Sequence, residues 1–182
     1  MTRIRLVPVG NIDLAILEWL SLTLKDDIDA SCLLHHPGID PTESYNPLRQ
    51  QYNSTAILAR LLRLDTPAQE KLLGVTDVDL FIPILTFVYG EAQLDNRAAV
   101  VSIFRLRQEF YGLPADDSLL YQRCEKEALH ELGHTFGLVH CPQFDCLMHY
   151  SNSIEQIDLK TNLFCPVCHG RLTGSGFEVP AR

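Results

Sequence analysis

The chain has 182 residues, which is room for one domain or for one domain with a small appendage. At 46% apolar and 21% charged it is globular rather than disordered. Fifteen Lys and Arg against 23 Asp and Glu leave a net charge of −8, which argues against broad binding to nucleic acid or to an anionic membrane.

In chain order, Arg3 and Arg5 mimic the start of a signal peptide, but Asp13 and Glu18 interrupt the apolar stretch that follows. No apolar run is long enough to span a bilayer, so no membrane partner is expected. A cytoplasmic location follows, where clustered cysteines are more often metal ligands than disulfides. Ile4–Val9 reads as a strand. The apolar spacing over Ile12–Leu24 predicts a helix, with Asn11 as its cap. Ala30–Leu34 reads as a second strand, and the prolines and glycine from His35 to Pro47 mark a loop. Ser54–Leu64 is a predicted helix with Leu58, Leu61 and Leu62 inward. Strands are predicted at Val78–Ile82, Thr86–Ala92 and Ala98–Leu106, the last two joined by a turn at Asp95–Asn96. Asp117 or Ser118 caps a long helix ending near Phe136. Strands alternating with helices indicate an α/β or layered α+β fold.

Inside that last helix lie His130-Glu131-Leu132-Gly133-His134. Residues four apart share a helix face, so the two imidazoles can hold one zinc ion at about 2.0–2.1 Å each. Glu131, beside the first ligand, can reach a zinc-bound water and serve as general base. Gly137 can end the helix sharply with positive φ. The chain then returns, and His140 completes a three-histidine site with its fourth position open, as a catalytic zinc requires.

Cys141, Cys146, Cys165 and Cys168 form two close pairs that suit a closed tetrahedral zinc site with a structural role. Iron in a four-thiolate cage would use the same ligands, disulfides would suit an exported chain, and Cys165-Pro166-Val167-Cys168-His169 also matches a haem attachment pattern. Two zinc ions per chain are expected, one catalytic and one structural. Cys32 and Cys124 read as small buried hydrophobes. The division falls near Gly137: residues 1–137 carry the sheet and the active-site helix, and residues 138–182 form a metal-organised subdomain.

His130-Glu131-x-x-His134-x-x-Gly137-x-x-His140 followed by Met148 resembles the metzincin clan of zinc endopeptidases. Cys141-x4-Cys146-x-Met148 with Cys165-x2-Cys168 resembles one branch of it, the archaemetzincins, as does Arg49-x-Gln51-Tyr52-Asn53. The resemblance implies a mixed, mostly parallel sheet of about five strands with the active-site helix packed beneath it. The strand around Thr86–Ala92 would be an antiparallel edge to which substrate adds as a further strand. Met148 would form a hydrophobic floor under the histidines. Tyr150, two residues after the methionine, would approach the metal and polarise a carbonyl. His149 has no assigned role and is expected at the surface.

The expected activity is peptide-bond hydrolysis on a peptide or protein substrate by a monomeric enzyme. The alternative is a zinc-binding peptide-recognition or regulatory protein without peptidase activity. A nucleic-acid-binding zinc module is disfavoured because Lys160, Arg171 and Arg182 are the only basic residues after His140.

Overall fold

The computed structural model describes residues 2–174. In chain order the principal elements are β1 (Thr2–Val9), α1 (Leu14–Ile28), β2 (Ala30–Leu34), β3 (Tyr45–Asn46), β4 (Gln51–Asn53) and α2 (Ser54–Leu61). They are followed by β5 (Lys71–Thr76), β6 (Leu80–Phe81), β7 (Gly90–Ala92), β8 (Ala98–Ser102), α3 (Asp117–Thr135), α4 (Ile154–Leu159) and α5 (Pro166–Gly174). The main sheet has the order β2-β1-β5-β8-β7, parallel throughout except for the edge strand β7, which runs antiparallel to β8. A small sheet of order β3-β4-β6 lies apart from it.

Alternation along the strands builds two cores. Ile4 and Leu6 of β1, Leu73 and Val75 of β5, and Ala99 and Val101 of β8 point to one face, where α1 and α3 pack. Val7, Val9, Leu72, Ala98 and Val100 point to the other, against Ile57, Leu58 and Leu61 of α2. The expected mixed, mostly parallel five-stranded sheet is present, and so is the antiparallel edge.

Several local expectations shift. Asp13, not Asn11, caps α1, accepting the amide of Ala15 at 3.0 Å, and Asp116 caps α3 through the amide of Leu119 at 2.9 Å. The third strand of the parallel set is Lys71–Thr76, which the sequence reading passes over. The apolar run at 78–82 contributes only Leu80–Phe81, and it does so to the small sheet. Most of 82–89 is loop, so β7 is shorter than the predicted strand.

Candidate active site

Helix α3 carries His130, Glu131 and His134 beneath β7. It ends at Thr135 with Phe136 as its C-cap, and the chain reverses at Gly137 with φ 86°. The amide of Gly137 donates to the carbonyl of His134, and that of Leu138 to Gly133, a closure that only a left-handed residue permits. This reversal brings His140 back to the helix, as expected from the sequence. One side-chain nitrogen from each of His130, His134 and His140 lies within 4.8 Å of the other two.

The tautomers follow from the partners. The Nδ1 of His130 lies 2.8 Å from the carbonyl of Leu147, and that of His134 lies 2.7 Å from the carbonyl of Leu138. A carbonyl only accepts, so both Nδ1 atoms carry the hydrogen and both Nε2 atoms present lone pairs. Those two Nε2 atoms face each other at 3.1 Å. Two lone pairs at that separation need a shared cation, and the edge of a tetrahedron of nitrogen ligands around zinc is about 3.3 Å. Burial holds His130 well below the usual histidine range, reinforced by the Lys160 ammonium, so this imidazole stays neutral. The residues present therefore fit a zinc ion.

Glu131 is buried on the adjacent face of α3. Burial raises its carboxyl well above the usual range, and the neighbouring Glu127 pushes in the same direction. Gly90 of β7 rests directly on it: a Cβ at that position would lie 2.7 Å from the Glu131 carboxylate and 2.7 Å from the carbonyl of Val100. Sheet edge and acid thus touch because residue 90 has no side chain.

The cleft between the β7 rim and α3 has a volume of about 530 Å³. His130, Glu131, His134 and His140 line it, together with Leu85, Phe87, Val139, Tyr150 and Ser151. The Tyr150 ring centroid is 5.2 Å from that of His140. Met148 is fully buried below, with its sulfur where a Cβ on Gly133 would come within 2.6 Å. This is the expected hydrophobic floor.

The four cysteine sulfurs of residues 141, 146, 165 and 168 also lie within 4.8 Å of one another. The Sγ atoms of Cys141 and Cys165 are 3.8 Å apart. That is the edge of a tetrahedron of zinc–sulfur bonds of about 2.3 Å, and it is far from the roughly 2.05 Å of a disulfide. Burial raises the Cys146 thiol, and the amide of Cys165, which donates to its sulfur at 3.4 Å, works against that. His149 departs from expectation: it is half-buried, and its Nδ1 meets the carbonyl of Cys141 at 3.0 Å, which pins the chain between the two clusters. Cys32 and Cys124 lie apart from both clusters, and burial pushes each thiol up to about 12.

Sequence reasoning missed one buried pair. Glu127, one helical turn before Glu131, bonds Lys160 at 2.8 Å, and the two side chains are 5% and 1% exposed. Lys160 enters the sequence reading only as one of the few basic residues after His140, yet it is buried against Glu127, which lines the cleft. A charged residue on the inward face of α3 was the available signal.

The pattern of Peptidase family M54 matches residues 39–173. An archaemetzincin of Methanocaldococcus jannaschii is 41% identical over 178 residues, covering 97% of this chain and 96% of the relative. That of Thermococcus kodakarensis is 39% identical over 182 residues, covering 94% and 96%. The crystal structure of the Archaeoglobus fulgidus archaemetzincin complexed with malonate superposes with a TM-score of 0.81 at 36% identity, covering 93% of this chain and 99% of that one. The chain belongs to peptidase family M54, the archaemetzincins, a family of zinc metallopeptidases.

Proposed function

We propose that the chain hydrolyses peptide bonds in a peptide or protein substrate, with a zinc ion held by His130, His134 and His140 and with Glu131 as general base. The observation that carries this reading is the facing pair of Nε2 lone pairs 3.1 Å apart, beside a buried carboxyl, in a cleft under a sheet edge. When bound, zinc supplies a Lewis acid that polarises the scissile carbonyl and acidifies a water molecule.

The chain's own groups do the rest. Strand β7 pairs with β8 on one side and with no other strand among the described residues, so an extended substrate can add along its free edge through main-chain hydrogen bonds. Glu131 takes a proton from the attacking water and passes it to the leaving amine. A carboxyl with a raised proton affinity suits both transfers near neutral pH. Tyr150, on the cleft wall beside His140, is placed to bind the carbonyl oxygen as charge develops on it. A second zinc held by Cys141, Cys146, Cys165 and Cys168 organises the chain after Gly137 as a separate subdomain. Among the described residues no helix is long and apolar enough to cross a membrane, and a monomer working in the cytoplasm completes the reading.

The test pairs metal analysis with a mixed peptide library. Two zinc ions per chain and cleavage by the wild type are expected, with a loss of about 10²–10⁴-fold in Glu131→Ala. Equal cleavage by both proteins would expose a contaminating protease. Silence from both, with zinc bound, would favour the peptide-recognition alternative.

A further inference from the structure

The segment from Arg49 to Thr55 includes a motif that the proposed chemistry does not use. Four of its side chains, those of Arg49, Gln51, Ser54 and Thr55, bond to the rim of the cleft. Gln51 is buried, and its Nε2 donates to the carbonyl of Thr86 at 3.0 Å and to Oδ2 of Asp79 at 2.9 Å. Arg49 donates from Nη2 to the carbonyl of Leu85 at 2.7 Å and from Nε to Oε1 of Gln51 at 3.2 Å. Its guanidinium lies 4.3 Å from the Phe81 ring centroid. Asp79 is held in turn by two nitrogens of Arg105, at 2.6 and 2.8 Å, and the Arg105 guanidinium sits 4.1 Å from the Phe87 ring centroid. A few residues on, the hydroxyls of Ser54 and Thr55 donate to the carboxylate of Glu91, in the middle of β7.

One short segment therefore grips the rim at both ends, at the 85–86 carbonyls and at Glu91. The rim needs such support. Residues 82–89 join no sheet beyond an isolated bridge between Leu80 and Val88. Leu85, Thr86, Phe87 and Val88 nonetheless line the cleft. A loop without a ladder opens locally at low cost unless buried donors hold it. The carbonyls of 85 and 86 are also already engaged, so a strand laid along the rim finds its open main-chain groups on β7.

We propose that Arg49 and Gln51 are positioning residues that hold the 85–86 segment and, with Ser54 and Thr55 on Glu91, set the rim over Glu131, so that they govern substrate binding rather than bond breaking. This rests on the peptidase reading above for its kinetic consequence, but not for its structural one.

The test uses the full zinc-loaded chain with Gln51→Leu and Arg49→Ala. Arg49 is half-buried at the surface, so its variant is expected to fold even if loss of the buried Gln51 amide proves disruptive. Hydrogen exchange of the amides from 85 to 92, read without substrate, is expected to quicken about tenfold. KM for a peptide is expected to rise about tenfold with kcat within about twofold, at unchanged zinc content. Exchange unchanged in both variants overturns the proposal. So does faster exchange with unchanged KM, or a fall in kcat or zinc at constant KM. If the wild type cleaves nothing, the peptidase reading fails, and exchange alone decides whether the clamp exists.

Discussion

The carbonyl of Leu147 accepts the Nδ1 hydrogen of His130 at 2.8 Å, and Leu147 stands between Cys146 and Met148. One tripeptide therefore offers a sulfur to the four-cysteine cluster, an acceptor that fixes the tautomer of a histidine, and the floor beneath that histidine's helix. The amide of Cys141 also donates to the carbonyl of Met148 at 2.9 Å, so the segment that leaves His140 is tied to the same tripeptide. The histidine and cysteine clusters share a backbone.

That coupling predicts the behaviour of Cys146→Ser. Loss of one thiolate should empty the four-cysteine site and free residues 146–148, so that the Leu147 carbonyl no longer orients His130. Outer partners of metal ligands are worth about 10–100-fold in affinity, and a weakening of that order is expected at the histidine site. Metal analysis after dialysis checks it; a variant that keeps a full zinc at the histidines shows the clusters to be independent.

Gly133→Ala tests the floor. The added Cβ would stand 2.6 Å from the sulfur of Met148, which is fully buried and would have to shift within the packed core. Overpacking of this kind costs about 1–3 kcal/mol. The denaturant midpoint should fall accordingly, and an unchanged midpoint would show that the helix and the methionine separate freely.

The buried pair predicts a non-additive cycle. Lys160→Met leaves the Glu127 carboxylate buried without its partner, a situation that costs about 3–5 kcal/mol. Adding Glu127→Leu removes the stranded charge and should recover most of the loss. Equal instability in the single and double variants would mean that packing of the long Lys160 stem, rather than charge, matters at this site.

The three histidines should make the metal-free protein less stable in acid. Burial, first among the causes, lowers the proton affinity of His130, His134 and His140 below that of a free histidine, about 6.5. As pH falls through that value the unfolded chain takes up protons that the folded imidazoles refuse, so folding loses stability below it and is indifferent to these groups above it. Because the buried Glu131 carboxyl, whose proton affinity is raised, shifts stability the other way, urea midpoints of the metal-free Glu131→Gln chain at about pH 7.5 and about pH 5.5 read the effect, with the lower value expected in acid. A midpoint that rises toward acid contradicts the sign.

Much of the candidate site is legible in the sequence because its ligands are close along the chain. Helical spacing puts His130 and His134 on one face, and Gly137 supplies the turn that returns His140. The sheet is less legible. Val78–Ile82 reads as a strand and Lys71–Thr76 is passed over, and pairing with β1 and β8 alone makes the latter the strand of the main sheet. The pair Glu127–Lys160 spans 33 positions and Arg49–Leu85 spans 36, beyond the reach of any local pattern.

The sequence by itself determined the chemistry of this protein: three histidines beside a carboxylate, four thiols, and the glycine that lets the chain double back. Those depend on side-chain type and on spacings of a few residues, which backbone geometry makes nearly independent of the rest of the fold. The tertiary structure decided the orientation of that chemistry. The Leu147 and Leu138 carbonyls choose the tautomers, Gly90 brings the sheet edge onto Glu131, Lys160 is buried against Glu127, and Arg49 and Gln51 hold the rim of the cleft. Each of these is a contact between distant segments, and the directed hydrogen bond or close approach exists only once the two cores have packed both faces of the sheet.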